Sequence, residues 1–215
     1  LTKEDQGYWG ALPHICVIPN ALPFTTDTPS DCRARRVVAA GRYDFQKNFE
    51  LLIRLWARLA PSFPDWELYI VGDGKMRAEL TALVSTLGLT GSVTLATPTH
   101  QMQEVYRSSS VYAMTSRYEG LPMVLLEAQQ MGLPIISFAC PCGPRDVITD
   151  GRDGFLIELG DEERFVAGLS RLMSDEELRQ RMGAEARQAS LRYTVDQVMA
   201  QWIELFEGLY KATSK

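Results

Sequence analysis

One stretch decides the fold of this chain: Ser116-Arg117-Tyr118-Glu119-Gly120-Leu121-Pro122-Met123-Val124-Leu125-Leu126-Glu127-Ala128. The apolar run 111–114 before it predicts a buried strand, and the run after it predicts a helix over 122–131. Pro122 suits the first helical position, because its missing N–H would have no partner there. We therefore expect the N–H groups of residues 123–125 to be free. A free helix start of this kind favours binding of a phosphate group.

Two carboxylates flank this helix start. Glu119 comes just before the helix, and Glu127 follows on it roughly two turns of 3.6 residues later. They could hold different hydroxyls of one elongated ligand that carries phosphate in its middle. The alternative that these residues bind no ligand stays open, because a Glu near a helix start often makes only a favourable interaction with the helix dipole. Glu127 in an apolar run needs a partner in either case. Gly120, between the two, permits a close backbone approach or a positive φ.

Strands and helices alternate along the rest of the chain. Strands are predicted at 37–40, 67–71, 92–95, 111–114, 135–138 and 154–157, and helices at 48–59, 75–87, 100–108, 122–131 and 143–148. This order predicts an α/β fold, a doubly wound Rossmann-like parallel sheet. C-terminal helices are expected at 161–173, 175–189 and 195–209. Ligands of such sheets bind at the carboxyl ends of the strands, where the loops 41–47, 72–75, 96–100, 115–121 and 139–144 lie.

Composition narrows the classes of function. The 215 residues are 46% hydrophobic and carry a net charge of −5, so nothing indicates a nucleic-acid partner. No apolar run reaches the roughly 18 residues of a membrane span, and no signal peptide is visible. Four Cys and two His lack the spacing of a zinc site. We expect reduced thiols and a cytoplasmic protein.

The first 33 residues differ from the rest. A helix from Glu4 to Ala11 with Thr2 as its N-cap is predicted, followed by a strand from Ile15 to Ile18. Residues 21–33 are rich in Pro, Thr, Ser and Asp, which is the composition of a linker. One helix and one strand without the rest of a sheet cannot form a domain.

The central stretch resembles a known family signature. Glu119-Gly120-Leu121-Pro122, Leu126-Glu127-Ala128 and 132–136 are similar to the E-x7-E signature of retaining glycosyltransferases of family 4, which have the GT-B architecture. The resemblance covers about residues 13 to 210 in the family's order. Its other parts are Gly41-Arg42 with Lys47-Asn48, Val71-Gly72-Asp73-Gly74 with Arg77, and the runs 143–148 and 150–156.

This resemblance implies a division of the chain. Residues 1–33 would be the end of an N-terminal acceptor-binding domain and the interdomain linker, and 34–192 the nucleotide-sugar donor domain. Residues 193–215 would form a helix that packs back toward the N-terminal domain.

The implied enzyme is a hexosyltransferase of polysaccharide biosynthesis. It would move a sugar from a nucleotide-diphosphate sugar, with UDP favoured, to a saccharide or lipid-linked acceptor. The chain alone is expected to bind donor without activity, and the enzyme could lie peripherally at the inner face of the membrane.

The resemblance also implies roles for single residues. Arg42 and Lys47 would grip the pyrophosphate and offset the charge of the leaving group without a metal or cofactor. Without the resemblance, two solvated surface cations remain the alternative. Glu119 would lie near the sugar, and Glu127 would accept hydrogen bonds from the ribose 2′ and 3′ hydroxyls. The remaining expected contacts are Gly120, Leu121 and Pro122 with backbone toward phosphate and sugar, Gly72 in a tight turn near the nucleotide, and Thr97 in the loop that contacts the base.

Two other functions stay open. One is a nucleotide-sugar-binding module without catalysis. The other is a nicotinamide-dependent oxidoreductase, which predicts G-x-G-x-x-G after the first strand. Gly41-Arg42-Tyr43-Asp44 stands there and does not match.

Overall fold

A computed structural model describes residues 2–10 and 15–213. Its sheet contains six parallel strands in the order β3-β2-β1-β4-β5-β6. They are β1 Arg36–Ala40, β2 Glu67–Val71, β3 Val93–Ala96, β4 Val111–Met114, β5 Ile135–Phe138 and β6 Gly154–Ile157. The helices are α1 Lys3–Tyr8, α2 Phe49–Leu59, α3 Arg77–Thr86, α4 Met102–Arg107, α5 Met123–Gln130, α6 Pro144–Val147, α7 Glu162–Ser174, α8 Glu176–Ser190 and α9 Val195–Thr213. The predicted doubly wound, Rossmann-like α/β sheet is confirmed.

The strand order places a topological switch point between β1 and β4. From β1 the chain moves outward to β2 and β3, and then returns to pair β4 on the other side of β1. Loops that follow two such neighbouring strands leave in opposite directions and open a crevice between them. Residues 41–48 and 115–122 therefore border the place where a ligand is expected.

Both faces of the sheet are covered. Along β1, Val37 belongs to the core under α2, α3 and α7, and its neighbour Val38 belongs to the core under α4, α5 and α6. This change of face at each residue follows the period of two in a strand. Both residues are fully buried, which explains why parallel strands appear in the sequence as continuous apolar runs.

Capping decides several helix starts. Asp161 and Asp175 precede α7 and α8 as N-caps, and their carboxylates accept hydrogen bonds from Arg164 N and Leu178 N at 3.0 and 2.8 Å. Thr2 caps α1 as predicted, with Oγ1 accepting from Asp5 N at 3.0 Å. The predicted helices at 75–87 and 100–108 are shorter, since α3 begins at Arg77 and α4 spans Met102–Arg107.

Two predictions for the first segment were wrong. The helix predicted to Ala11 ends at Tyr8, before Gly10 with a φ of +68°, and Ala11 itself lies outside the described residues. Residues 15–18 form no strand. An apolar run becomes a strand only where a neighbouring strand accepts and donates its backbone hydrogen bonds, and no described strand pairs with this run.

The segment before the sheet is nevertheless attached to α6. The carboxylate of Asp146 in α6 accepts hydrogen bonds from Lys3 N at 3.1 Å and Glu4 N at 3.3 Å.

Among residues 2–10 and 15–213, no helix is both long and apolar enough to cross a membrane. The four cysteines at 16, 32, 140 and 142 are free thiols.

Candidate functional site

A cavity of about 260 Å³ lies at the switch point. It is bounded by the loops after β1, β2 and β3 and by α4 and α5. Its lining residues are Ala40, Gly41, Arg42, Val71, Gly72, Asp73, Pro98, Thr99, Met102, Tyr106, Val124 and Glu127. A larger cavity of about 690 Å³ lies elsewhere, between the segment 29–32 and α8. We assign the ligand site to the smaller cavity, because it is at the carboxyl ends of the strands and is lined by the half-buried carboxylate of Glu127.

The start of α5 differs from the prediction. Pro122 is the N-cap and not the first helical residue, with φ −72° and ψ 95° in the extended region. Its carbonyl accepts a hydrogen bond from Leu125 N at 2.9 Å. The expectation of three free N–H groups is therefore wrong for Leu125. Met123 and Val124 open the helix, where N–H groups have no partner within the helix.

The loop before α5 is held by the loop after β5. Glu119 N donates to Pro141 O at 2.9 Å. Gly143 has a φ of +100°, and a Cβ at this position would overlap Pro122 Cδ and lie 2.8 Å from Gly120 O. Only glycine allows this approach of the two loops. Gly143 begins the run 143–148 of the family resemblance, but the spacing along the chain does not show its contact with residues 120 and 122.

Lys47 and Glu119 form an ion pair across the switch point. Lys47 Nζ lies 2.7 Å from Glu119 Oε1, and the two side chains are only 15% and 7% exposed. The stem of Lys47 packs against Gly41, since a Cβ at Gly41 would lie 2.9 Å from Lys47 Cε. The family resemblance implies separate ligand contacts for these two residues. The structure joins them into one unit next to the cavity.

Arg117 fastens the same two loops and was missed by the sequence reasoning. Its Nε donates to Phe45 O at 3.1 Å, and its Nη2 donates to Asn48 Oδ1 at 2.9 Å. The guanidinium also stacks on the Phe45 ring at 4.1 Å from the centroid. Asn48 is the N-cap of α2 in a left-handed conformation. Arg117 thus fixes the position of Lys47 relative to Glu119.

Arg42 occupies the mouth of the cavity. Its side chain is 77% exposed, and its Nε lies 3.4 Å from Asp44 Oδ2. An exposed ion pair of this kind contributes little to stability. The guanidinium can therefore leave Asp44 for a ligand at small cost.

Glu127 lines the cavity from α5. Its Oε2 accepts a hydrogen bond from Tyr106 Oη at 2.7 Å. Burial raises the pKa of Glu127 above its ordinary value, and the hydrogen bond from Tyr106 opposes that shift. The partner that the apolar surroundings of Glu127 demanded is therefore a phenol from the preceding helix.

The remaining predicted residues differ in their surroundings. Gly72 is pressed against the loop after β1, since a Cβ there would overlap Gly41 O and lie 2.8 Å from the Tyr43 ring. Gly120 has no described atom within 4 Å of a Cβ built on it, and its φ is not positive. Leu121 is 8% exposed and belongs to the core under α5. Thr97 is exposed, next to the lining residues Pro98 and Thr99.

Comparison with known proteins identifies the family. Residues 27–189 match the family described as Glycosyl transferases group 1, and the chain therefore belongs to it. The chain is 38% identical over 215 residues to the amylovoran biosynthesis glycosyltransferase AmsD of Erwinia amylovora, covering 95% of this chain and 60% of that protein. It is 35% identical over 211 residues to the exopolysaccharide phosphotransferase SCO2592 of Streptomyces coelicolor, covering 97% of this chain and 22% of that protein.

Solved structures confirm the fold. The structure of the S. aureus TarM G117R mutant in complex with Fondaparinux, alpha-GlcNAc-glycerol and UDP superposes with a TM-score of 0.85 at 22% identity, covering 94% of this chain and 41% of that chain. The Rossmann-like sheet thus matches a GT-B glycosyltransferase structure. The chain spans 60% and 22% of the length of the two relatives named above. Membership of this family disfavours the nicotinamide-dependent alternative.

Proposed function

We propose that this chain is the donor-binding portion of a retaining, metal-independent glycosyltransferase of family 4. The whole enzyme, a hexosyltransferase, would move a sugar from a UDP-sugar to a saccharide or lipid-linked saccharide during polysaccharide biosynthesis. One observation carries the proposal: the cavity at the switch point has Glu127 at one side, Arg42 at its mouth and the Lys47–Glu119 pair behind Gly41. The names of AmsD and SCO2592 support a role in polysaccharide biosynthesis, and the UDP in the TarM structure supports UDP as the nucleotide of the donor.

In this proposal the diphosphate lies across the start of α5. The charge on a leaving nucleoside diphosphate grows as the glycosidic bond breaks, and fixed positive groups stabilise it. Lys47 has three N–H donors and uses one on Glu119, so two remain for phosphate oxygens. Arg42 can add a bidentate contact from the mouth. These groups supply the positive charge without a metal ion or cofactor.

The sugar and the nucleoside would occupy opposite sides of the diphosphate. Glu119 has a second oxygen free of Lys47, which can accept a hydrogen bond from a sugar hydroxyl near the anomeric carbon. Gly120 leaves open space for the ligand, and its backbone with that of Leu121 and Pro122 would line the approach. On the other side Glu127 would hold the ribose, and the backbone around Thr97 would contact the base.

The rest of the enzyme would complete the acceptor site. We propose the domain limits 1–33, 34–192 and 193–215 given above, with the acceptor domain packing on α9. One stripe of α9 supports this, because large apolar side chains about half-exposed or more repeat along it: Val195, Met199, Ile203, Phe206 and Tyr210. The chain alone would bind donor but not transfer sugar. A lipid-linked acceptor would place the enzyme in the cytoplasm, peripherally at the inner face of the membrane.

Calorimetric titration with UDP, GDP and ADP in the presence of EDTA tests the function. We expect saturable binding of UDP that EDTA leaves unchanged, and weaker binding of GDP and ADP. Absence of binding by all three, both to this chain and to a protein extended by the acceptor domain, would contradict the proposal. Binding that EDTA abolishes would contradict its metal independence.

Substitutions at two glycines distinguish an effect on stability from an effect on ligand binding. Gly72→Ala should destabilise the chain by about 1–3 kcal/mol, because its methyl group overlaps Gly41 O. Gly120→Ala should leave the unfolding free energy within about 0.5 kcal/mol of wild type, because its methyl group meets no described atom. It should nevertheless weaken UDP-sugar binding, because the methyl group enters ligand space. Urea unfolding and calorimetry measure the two effects, and equal UDP-sugar affinity in Gly120→Ala and wild type would remove Gly120 from the site.

A further inference from the structure

Tyr106 is a buried side chain at the site, and its only described role is the hydrogen bond to Glu127. It lies on α4, its side chain is completely buried, and it lines the cavity together with Glu127 of α5. A buried phenolic hydroxyl requires a hydrogen-bond partner. Tyr106 finds it in Glu127 Oε2 at 2.7 Å.

This hydrogen bond makes the two carboxylate oxygens of Glu127 different, because only Oε2 accepts it. A phenol has a single hydrogen to donate, so it engages one carboxylate oxygen and fixes the plane of the group. Oε2 is turned toward Tyr106, which leaves Oε1 for a ligand in the cavity. A Glu side chain has three rotatable bonds. Without the hydrogen bond from the phenol, the half-buried Glu127 could therefore adopt several rotamers.

We propose that Tyr106 is a positioning residue, which holds Glu127 so that its Oε1 accepts from the cis-diol of the nucleotide's ribose. This inference rests on the proposed function and adds a residue that acts through Glu127 to favour a ribose over a sugar without the diol. Two neighbouring hydroxyls of fixed geometry can both reach one carboxylate only if that carboxylate is held in place. A sugar that lacks these hydroxyls makes no use of the arrangement.

The structure offers a matched control. Tyr112 on β4 is also buried, and its ring centroid lies 6.2 Å from that of Tyr106. Its hydroxyl bonds the backbone of Ala40, accepting from N at 3.2 Å and donating to O at 3.3 Å. Tyr112→Phe therefore removes a buried hydroxyl from the same neighbourhood without removing a bond to Glu127.

The test compares UDP with 2′,3′-dideoxy-UDP as calorimetric ligands of wild type, Tyr106→Phe and Tyr112→Phe. Wild type should prefer UDP. Tyr106→Phe should bind UDP about fivefold or more weakly and dideoxy-UDP as wild type does, since the loss of one charge-assisted hydrogen bond acts only through the diol. Tyr112→Phe should keep the full preference of wild type for UDP.

Several outcomes would overturn the inference. Equal weakening of UDP and dideoxy-UDP in Tyr106→Phe would show a general structural effect, and an unchanged preference would show that Glu127 needs no positioning. Either result leaves the proposed function intact if wild type binds UDP. A wild type that binds neither ligand would remove the proposed function and this inference together.

Discussion

Glu127→Gln is expected to weaken UDP binding by about 10- to 150-fold, which corresponds to the 1.5–3 kcal/mol of a hydrogen bond to a charged group. The amide keeps the volume of the side chain and can still accept the hydrogen bond from Tyr106 through its oxygen. An NH2 group takes the place of Oε1, so the variant loses the acceptor that the ribose diol requires. Calorimetry on the variant measures the loss directly.

The same variant should not be less stable at pH 7. Burial raises the pKa of Glu127, so the folded state holds the proton of this carboxyl more tightly than the unfolded state does. The stabilising effect is complete below the pKa of an unfolded Glu, about 4.3, and is lost as the pH rises through the folded value. At pH 7 wild type therefore bears the cost of a half-buried, ionised carboxylate, and the Gln variant does not.

Urea unfolding at pH 7 and at pH 4 checks this sign. The unfolding free energy of Glu127→Gln should equal or exceed that of wild type at pH 7, and the difference should shrink at pH 4. Glu204→Gln, at an exposed position in the middle of α9 and away from the helix start, serves as the control for a change of charge alone. A Gln variant that binds UDP like wild type would remove Glu127 from the donor site.

Lys47→Met is expected to reduce both stability and donor binding. Lys47 and Glu119 are 15% and 7% exposed, and loss of one partner from a buried pair leaves the other charge without compensation. We expect a destabilisation of about 3 kcal/mol, the lower end of the range for such pairs. Loss of the ammonium group should in addition weaken UDP binding by at least about tenfold.

The double variant Lys47→Met/Glu119→Gln separates the two effects. Removal of both charges should restore most of the stability, because no unpaired charge remains buried. Donor binding should stay weak, since the cation is still absent. Recovery of UDP binding in the double variant would contradict a direct phosphate contact of Lys47, and an undisturbed stability in Lys47→Met would contradict the buried pair.

The sheet could be predicted because its signals are local. The apolar runs that form β1 and β4 are buried, and such runs separated by helical patterns permit few arrangements other than a parallel sheet. The edge that binds a ligand follows from the same rule. Arg42 and Gly72 lie around one cavity because they follow strands that end at that edge, and Glu127 lines the same cavity from α5, the helix after β4.

Pairings between distant residues could not be predicted in this way. Glu127 was expected to need a partner, but the spacing along the chain does not show that this partner is Tyr106, and only the structure shows that the two share a hydrogen bond. Lys47 and Glu119 are 72 residues apart, and spacing cannot show that they neutralise each other. The run 15–18 failed as a strand because strand formation depends on a neighbour and not on the run itself.

Mapping of backbone amide chemical shifts during titration with UDP tests the central claim most directly. The account predicts that the largest changes occur at Gly41, Gly72, Thr99 and the first residues of α5, around the switch-point cavity. The larger cavity offers a built-in comparison, since Gly132, Gly183 and Gln180 line it. Changes confined to those three residues, with the switch point undisturbed at saturation, would contradict the donor site described for this chain.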